Sequence, residues 1–459
     1  MALEQILAHK RAELARRKGT VSLESLLGRC APSRLSLAAA LRAGPPGFLL
    51  EIKFASPSAG VIRAGADLEP MLDSYGRHAD AVSVLTDEEF FGGSLGRLAE
   101  VRGRLRQPLL CKDFFLEPYQ VAEARAHGAD AILLILAAID DATWRSCDTA
   151  ARRLGMEVLT EVHDAVEADR AVALGAAIIG VNNRDLRTLQ VDLNTTQALA
   201  PRIPRDRLVI SESGICSRDD VLRLRPLADA FLVGSALMRE PDLDRSVREL
   251  VYGKTKVCGL TRTEHAQAAR AAGATHGGVV FAAGSPRRLD VDQAGGVRRG
   301  VPLQWVGVFA DQEPEAVAAT AERLELAAVQ LHGHETPATV ARVRELLPPG
   351  CEVWKAVRVL DRVPGRAATG ADRLLLDAAS PGAGQRFDWS LLARHPERSE
   401  VILAGGLRAE NVAAATALGT YALDVSTGVE AAPGQKDPDR LAAFFRARRR
   451  LPGRGDPTP

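Results

Sequence analysis

The sequence predicts an α/β protein made of two tandem (β/α)8 TIM barrels, the first carrying an N-terminal helical extension. Three observations carry that prediction. From residue 48 onward, short apolar runs alternate with Ala/Leu/Arg-rich stretches of helical period, and glycines restart the chain, as at Gly128-Ala129-Asp130 and Gly175-Ala176. Eight such units fall before Gly253 and eight after it. From the second strand of each half, successive strand starts are about 27, 23, 26, 21, 30 and 22 residues apart in the first half. In the second half they are about 28, 22, 26, 21, 28 and 20 apart, a long-period internal repeat.

Taken in order, residues 1–47 read as helices over Leu3 to Arg17, Leu23 to Leu27 and Leu35 to Leu41, parted by Gly, Ser and Pro. Strands of the first half are expected at 48–53, 81–86, 108–113, 131–136, 157–162, 178–183, 208–213 and 230–235. Those of the second are expected at 256–260, 276–281, 304–309, 326–332, 352–357, 373–378, 401–406 and 421–426. The expected domains are 1–253 and 254–452, with 453–459 a disordered tail. Two barrels account for 459 residues without a long structureless loop.

Composition excludes several function classes. With 59 Lys and Arg against 58 Asp and Glu, nothing suggests a nucleic-acid or acidic-membrane surface. No apolar run reaches the roughly 18 residues of a membrane span. The N-terminal helix, with Glu4 and Glu13, lacks the apolar middle of a signal peptide; a mitochondrial presequence is the alternative. Six scattered cysteines without a C-x-x-C pair argue against a disulfide framework or zinc knot, and His332-Gly333-His334 is too lean for a metal site. The expectation is a soluble, cytoplasmic, monomeric protein with no metal, no nucleic acid and no membrane partner.

Barrel enzymes react at the C-terminal ends of their strands. In the first half those ends carry Glu51 and Lys53, Lys112-Asp113, Glu161, Asn182-Asn183-Arg184 and Glu212-Ser213-Gly214. Glu51 and Lys53 are two apart, so their side chains leave one face of a strand. A carboxylate beside an ammonium there is costly unless used, the plainer reading being a buried ion pair under a turn. Only eight of the 59 basic residues are lysines, yet Lys53 and Lys112 stand at strand ends, where a compact, tunable proton donor has a use. The seventh and eighth strands end in Ser-Glu-Ser-Gly (211–214) and Val-Gly-Ser (233–235), small residues with free N–H groups where barrels hold phosphate.

The second half sets Cys258, Arg287, Gln330, His332, Asp377, Gly405-Gly406, Asp424 and Ser426 at the corresponding places. A lone Cys is more often inert core. Cys258 stands at the reactive end with an acid across the barrel. A thiolate of lowered pKa and a protonated carboxyl would form a base and acid pair for moving a proton between neighbouring carbons. Neither half carries a G-x-G-x-x-G turn or a P-loop.

The motifs resemble two known families. E-I-K-F-A-S-P-S-A-G (51–60), C-K-D-F (111–114), L-T-E-V (159–162), G-V-N-N-R-D-L (180–186), I-S-E-S-G-I (210–215) and F-L-V-G-S-A-L (231–237) are similar to indole-3-glycerol-phosphate synthase. K-V-C-G-L-T-R (256–262), S-P-R-R (285–288), V-Q-L-H-G (329–333), G-Q-R-F-D-W-S (384–390), L-A-G-G-L (403–407), L-D-V-S-T-G-V-E (423–430) and P-G-Q-K-D (433–437) are similar to phosphoribosylanthranilate isomerase. Their order resembles the fused bifunctional tryptophan-biosynthesis enzyme, over nearly the whole chain.

That resemblance implies an Amadori rearrangement in the second barrel, with Asp377 as general acid on the furanose oxygen and Cys258 as base at the sugar C2. Arg287 would hold the anthranilate carboxylate, and His332 would line the pocket. In the first barrel it implies ring closure with loss of CO₂ and water. Lys112 would be the acid, with Lys53 holding the substrate carboxylate or sharing acid duty. Glu161 would be the base of dehydration, and Glu51, Asn182 and Glu212 would orient the intermediate. Phe91, Phe114 and Leu133 would wall the anthranilate ring, with Arg184 also at the substrate. Ser56, Ser213, Gly214, Gly234 and Ser235 would cradle one phosphate, and Gly405, Gly406, Asp424 and Ser426 the other. No cofactor is implied, because the cationic ring accepts the electrons released by decarboxylation. Two positions depart from the pattern: His163 stands where a small polar residue is expected, and Pro381-Gly382-Ala383-Gly384 lacks a serine.

Two other readings compete. Barrels acting on a histidine precursor perform the matching Amadori reaction, but typically with paired aspartates, where this chain offers Cys258 with Asp377. A non-catalytic scaffold or phosphate binder is the second, against which Lys112, Glu161, Cys258 and Asp377 all stand.

Overall fold

In the computed structural model, residues 3–56, 60–61, 68–377, 387–451 and 453–454 are described. The chain divides into two compact units, one ending at Leu250 and the other spanning Val251–Arg450; Leu451, Gly453 and Arg454 rejoin the first unit. There Leu451 N donates to Pro45 O at 3.1 Å, and Arg454 Nη2 donates to Ala200 O at 2.8 Å. Residues 455–459 lie outside the described part.

The first unit begins with three helices, α1 (Leu3–Thr20), α2 (Leu23–Leu27) and α3 (Leu37–Arg42). Serines open the latter two, Ser22 and Ser36 accepting the N–H groups of Ser25 and Ala39. A closed parallel barrel follows from β1 (Gly47–Ile52), β2 (Ala81–Leu85), β3 (Leu109–Lys112), β4 (Ala131–Ile135), β5 (Glu157–Val162), β6 (Ile178–Asn182), β7 (Leu208–Glu212) and β8 (Ala230–Val233). Closure comes from pairing β1 with β8, Phe48 against Phe231. Inward residues such as Leu49, Leu110, Leu133, Leu159, Ile210 and Leu232 fill the interior, so the ring is a packed core rather than a pore. Leu37 and Leu41 of α3 join that core.

α1 buries Ile6, Leu7, Lys10 and Leu14, a stripe at helical spacing. Lys10 is fully buried, and its Nζ lies 2.8 Å from Asp87 and 2.9 Å from Asp113. A buried ammonium needs such partners to offset desolvation. Asp113, beside Lys112 at the strand end, is therefore held by the extension, with Thr86 Oγ1 donating to it at 2.8 Å.

The second unit is another closed parallel barrel: β9 (Thr255–Cys258), β10 (His276–Val280), β11 (Gln304–Phe309), β12 (Ala328–Leu331), β13 (Glu352–Arg358), β14 (Arg373–Asp377), β15 (Ile402–Leu403) and β16 (Ala422–Val425). Val306, Trp354, Leu375 and Ile402 lie at its centre. Both rings match the predicted fold. The seventh strand here has two residues, not the six expected, because Gly405 and Gly406 turn the chain at φ 83° and 62°.

Candidate active sites

In the first barrel the charged strand ends converge. Glu51 closes β1, 1 % exposed, and Lys53 just beyond it sets Nζ 2.6 Å from Glu51 Oε1. Lys112 ends β3, with Nζ 3.6 Å from Glu161 Oε2 and 3.9 Å from Glu212 Oε2. Both distances exceed a direct charge-assisted bond, leaving the ammonium poised between two carboxylates.

Glycines make this crowding possible. A Cβ on Gly180 of β6 would stand 2.0 Å from Glu212 Oε1, and one on Gly234 would stand 2.6 Å from Glu51 Oε1. Gly234, expected only at phosphate, thus also clears space for a site carboxylate.

The environment splits the two buried carboxyls. For Glu161, burial raises the pKa, but Lys112 and His163 outweigh it and hold the group ionised, well below the usual carboxylate range. For Glu212, burial and then the Glu161 charge push it well above that range, toward the protonated form. Two carboxyls with opposed tendencies can serve as an acid and a base. Burial pulls Lys112 down, yet Glu161, Glu212 and Glu51 together raise it, so it stays an ammonium.

The other expected residues fall into place unevenly. Phe91 and Phe114 meet with ring centroids 6.2 Å apart, and Phe114 packs on the core that holds Leu133. Asn182 ends β6 beside Glu212, its Oδ1 accepting from Arg184 N at 3.0 Å. Arg184 is half-buried, with Nη1 donating to Leu189 O at 2.9 Å. Ser213 and Gly214 both take positive φ, 63° and 81°, at the end of β7. Asn183 fastens that turn, donating Nδ2 to Ser211 Oγ, Glu212 O and Ser213 O within 3.0 Å. Ser235 opens a short helix after Gly234. Ser56 lies on a two-residue strand, but its side chain falls outside the described residues, as do Pro57, Ser58 and Ala59.

His163 is more than a substitution for a small residue. Its Nδ1 lies 3.0 Å from Glu167 Oε2 and its Nε2 3.1 Å from Glu161 Oε1. Burial lowers its pKa, but the two carboxylates raise it from 6.5 to about 10. A raised value means that the charged ring contributes stability fully below pH about 6.5 and loses it as the pH climbs through about 10. With Glu161 and Glu167 facing it and Lys112 beyond, His163→Asn is expected to lower the melting temperature of the first barrel at pH 6. The deficit should fade above pH about 10, read by calorimetry across pH.

In the second barrel, Cys258 ends β9 and Asp377 ends β14, on opposite parts of the ring. The thiol does not have the lowered pKa expected of it. Burial pushes it up, countered by Lys256 and reinforced by Asp424. Sequence reasoning assigned no role to Lys256, two residues before Cys258 and so on the same strand face. It is fully buried, with Nζ donating to Gln330 Oε1 at 2.8 Å and Asp424 Oδ2 at 3.0 Å. Gly278 leaves room for both: a Cβ there would lie 2.8 Å from Lys256 Cε and 3.0 Å from Cys258 Sγ.

That ion pair engages the Asp424 side chain with Lys256, so any contact of Asp424 with a phosphate would fall to its backbone N–H. Ser426 Oγ donates to Cys258 O at 3.1 Å. Arg287 does not present an open fork, because Nε and Nη2 are taken by Glu430 at 2.9 and 2.6 Å. Lys436 Nζ joins the same carboxylate at 2.7 Å. His332 accepts from Gln330 Nε2 at 3.0 Å, and burial and then Lys256 lower its pKa, keeping the ring neutral. The Pro381–Gly384 departure lies outside the described residues. Among those described, no three His, Cys, Asp or Glu side chains could hold a metal ion, and no helix is long and apolar enough to cross a membrane.

Comparison with known proteins agrees with this division. A family model for indole-3-glycerol phosphate synthase matches residues 3–250, and one for N-(5'-phosphoribosyl)anthranilate isomerase matches residues 255–447. The chain is 47 % identical to tryptophan biosynthesis protein TrpCF of Yersinia pestis over 447 residues, 97 % of this chain and 94 % of that protein. It is 45 % identical to TrpCF of Salmonella typhi over 97 % of this chain and 99 % of that protein. The TrpCF of Vibrio cholerae serotype O1 is 48 % identical over 87 % of this chain and 85 % of its own length.

Proposed function

The chain belongs to the family of fused tryptophan-biosynthesis enzymes that join indole-3-glycerol phosphate synthase to phosphoribosylanthranilate isomerase, and we propose which of its residues carry each reaction. The C-terminal barrel isomerises N-(5-phosphoribosyl)anthranilate to the carboxyphenylamino-deoxyribulose phosphate. The N-terminal barrel decarboxylates and cyclises that product to indole-3-glycerol phosphate.

In the isomerase barrel, Asp377 donates a proton to the ring oxygen of the sugar and Cys258 removes the C2 proton. Lys256 has the task of drawing the buried thiol toward the thiolate, because its charge is the nearest counterweight to burial. Arg287, oriented by Glu430, meets the anthranilate carboxylate with its remaining N–H groups, and His332 lines the pocket as a neutral ring. Gly405, Gly406 and Ser426 face the phosphate.

In the synthase barrel, Lys112 donates to the ketone oxygen as the aromatic carbon attacks, and Lys53 engages the substrate carboxylate. The cationic ring takes up the electrons as CO₂ leaves. Glu161 then removes the proton and hydroxide departs as water, with Glu212, whose pKa burial and the Glu161 charge raise, beside it and Glu51 and Asn182 orienting the intermediate. Phe91, Phe114 and Leu133 wall the anthranilate ring, with Arg184 at the rim. Ser56, Ser213, Gly214, Gly234 and Ser235 hold the phosphate.

The observation that carries this reading is Lys112 Nζ held 3.6 Å from Glu161 and 3.9 Å from Glu212, two buried carboxyls whose pKa values are pushed in opposite directions. One chain holds every group both steps call on, which supports a monomer, and six free cysteines fit a reducing cytoplasm. Phosphoribosylanthranilate supplied as sole substrate is expected to give indole fluorescence with nothing added. Accumulation of the deoxyribulose intermediate alone would contradict the assignment to the first barrel.

A further inference from the structure

We propose that His163 is a positioning residue for the dehydration step, a strut that ties the Glu161 carboxylate to Glu167 at the head of the next helix. The inference rests on reading Glu161 as the base of that step.

The strut is built outward from the backbone. Asp164 caps the helix Ala165–Ala173, its side chain accepting from Glu167 N at 2.9 Å. Glu167, in the first turn, folds back so that Oε2 accepts from His163 N at 2.8 Å and faces Nδ1 at 3.0 Å. That pins His163 at its backbone N–H and at one ring nitrogen. Its far nitrogen then meets Glu161 Oε1 at 3.1 Å, while Glu161 Oε2 is left facing Lys112 at 3.6 Å.

The contact with Glu161 is an ion pair rather than an aligned hydrogen bond, so it holds only while the ring is charged. The raised pKa of about 10 keeps it in that form at neutral pH. His163 is nearly buried, its side chain 10 % exposed, as suits a support rather than a substrate contact.

The gap to Lys112 is the functional point. An unrestrained carboxylate beside an ammonium closes to a direct bond of about 2.8 Å. Such a collapse would occupy the acid with the base. By holding one oxygen of Glu161, His163 keeps the pair open for an intermediate to enter. A misplacement of about 1 Å at a reacting group costs on the order of a hundredfold.

The test measures ring formation from carboxyphenylamino-deoxyribulose phosphate in the full chain. The variants are His163→Asn, Glu161→Gln and the double substitution, assayed well below the calorimetric melting of the first barrel, which is the control for folding. His163→Asn, too short to span both carboxylates, is expected to lower kcat about 10- to 100-fold with KM little changed. In the Glu161→Gln background the same change should cost almost nothing further. Full activity of His163→Asn beside a crippled Glu161→Gln would overturn the strut and leave the base assignment standing. Additive losses would overturn it too, since His163 would then act by another route. Full activity of Glu161→Gln would remove the base assignment, and the strut with it.

Discussion

Cys258→Ala is expected to stop isomerisation, lowering its kcat by about 10²- to 10⁴-fold, while ring formation from the deoxyribulose intermediate continues at the parental rate. Proton removal from the sugar C2 needs a base, and the thiol at the end of β9 is the group assigned to it. Lys256 two residues back is an ammonium bound by Asp424 and Gln330 and has no lone pair to offer. Alanine removes little volume and no charge, so the barrel should keep its packing. Steady-state assay of each half reaction with its own substrate checks the result. Equal loss of both activities in a folded protein would contradict the separation of the sites.

Lys112→Ala is expected to do the reverse, lowering ring formation by about 10²- to 10⁴-fold and leaving isomerisation intact. The substitution removes the proton donor. It also removes one of the two charges that hold Glu161 ionised, the other being His163, so the base is weakened as the acid is lost. Lys112→Arg is expected to restore little, because a guanidinium keeps the counter-charge but holds its proton. If Lys112→Ala formed indole product at the parental rate, the acid would have to be Lys53, whose Nζ sits 2.6 Å from Glu51 two residues back.

Much of this was legible in the sequence because a barrel gives strand ends a fixed meaning. Glu51, Lys112, Glu161, Asn182 and Glu212 could be placed on one rim once eight strands were counted. What stayed hidden depends on contacts distant in the chain. The partner of Arg287, Glu430, is 143 residues away, and nothing in the S-P-R-R run announces it. Lys10 reaches Asp113 from the extension, a docking no periodicity predicts. Lys256 is different, because the signal was present. In a chain with eight lysines, one standing two residues before a rim cysteine meets the same argument applied to Lys53 and Lys112. The pairing of Asp424 with Lys256 was hidden too, because a strand-end position alone does not tell whether a carboxylate turns to a ligand or to a buried cation.

The most direct measurement mixes the two crippled proteins. Cys258→Ala and Lys112→Ala chains, each unable alone to turn phosphoribosylanthranilate into indole-3-glycerol phosphate, are combined in equal amounts and followed by indole fluorescence. Product should appear from the mixture, since the intermediate released by one chain's intact second barrel can enter the other chain's intact first barrel. No product from the mixture, with both proteins folded and each retaining its other half reaction, would contradict two self-sufficient sites on one polypeptide.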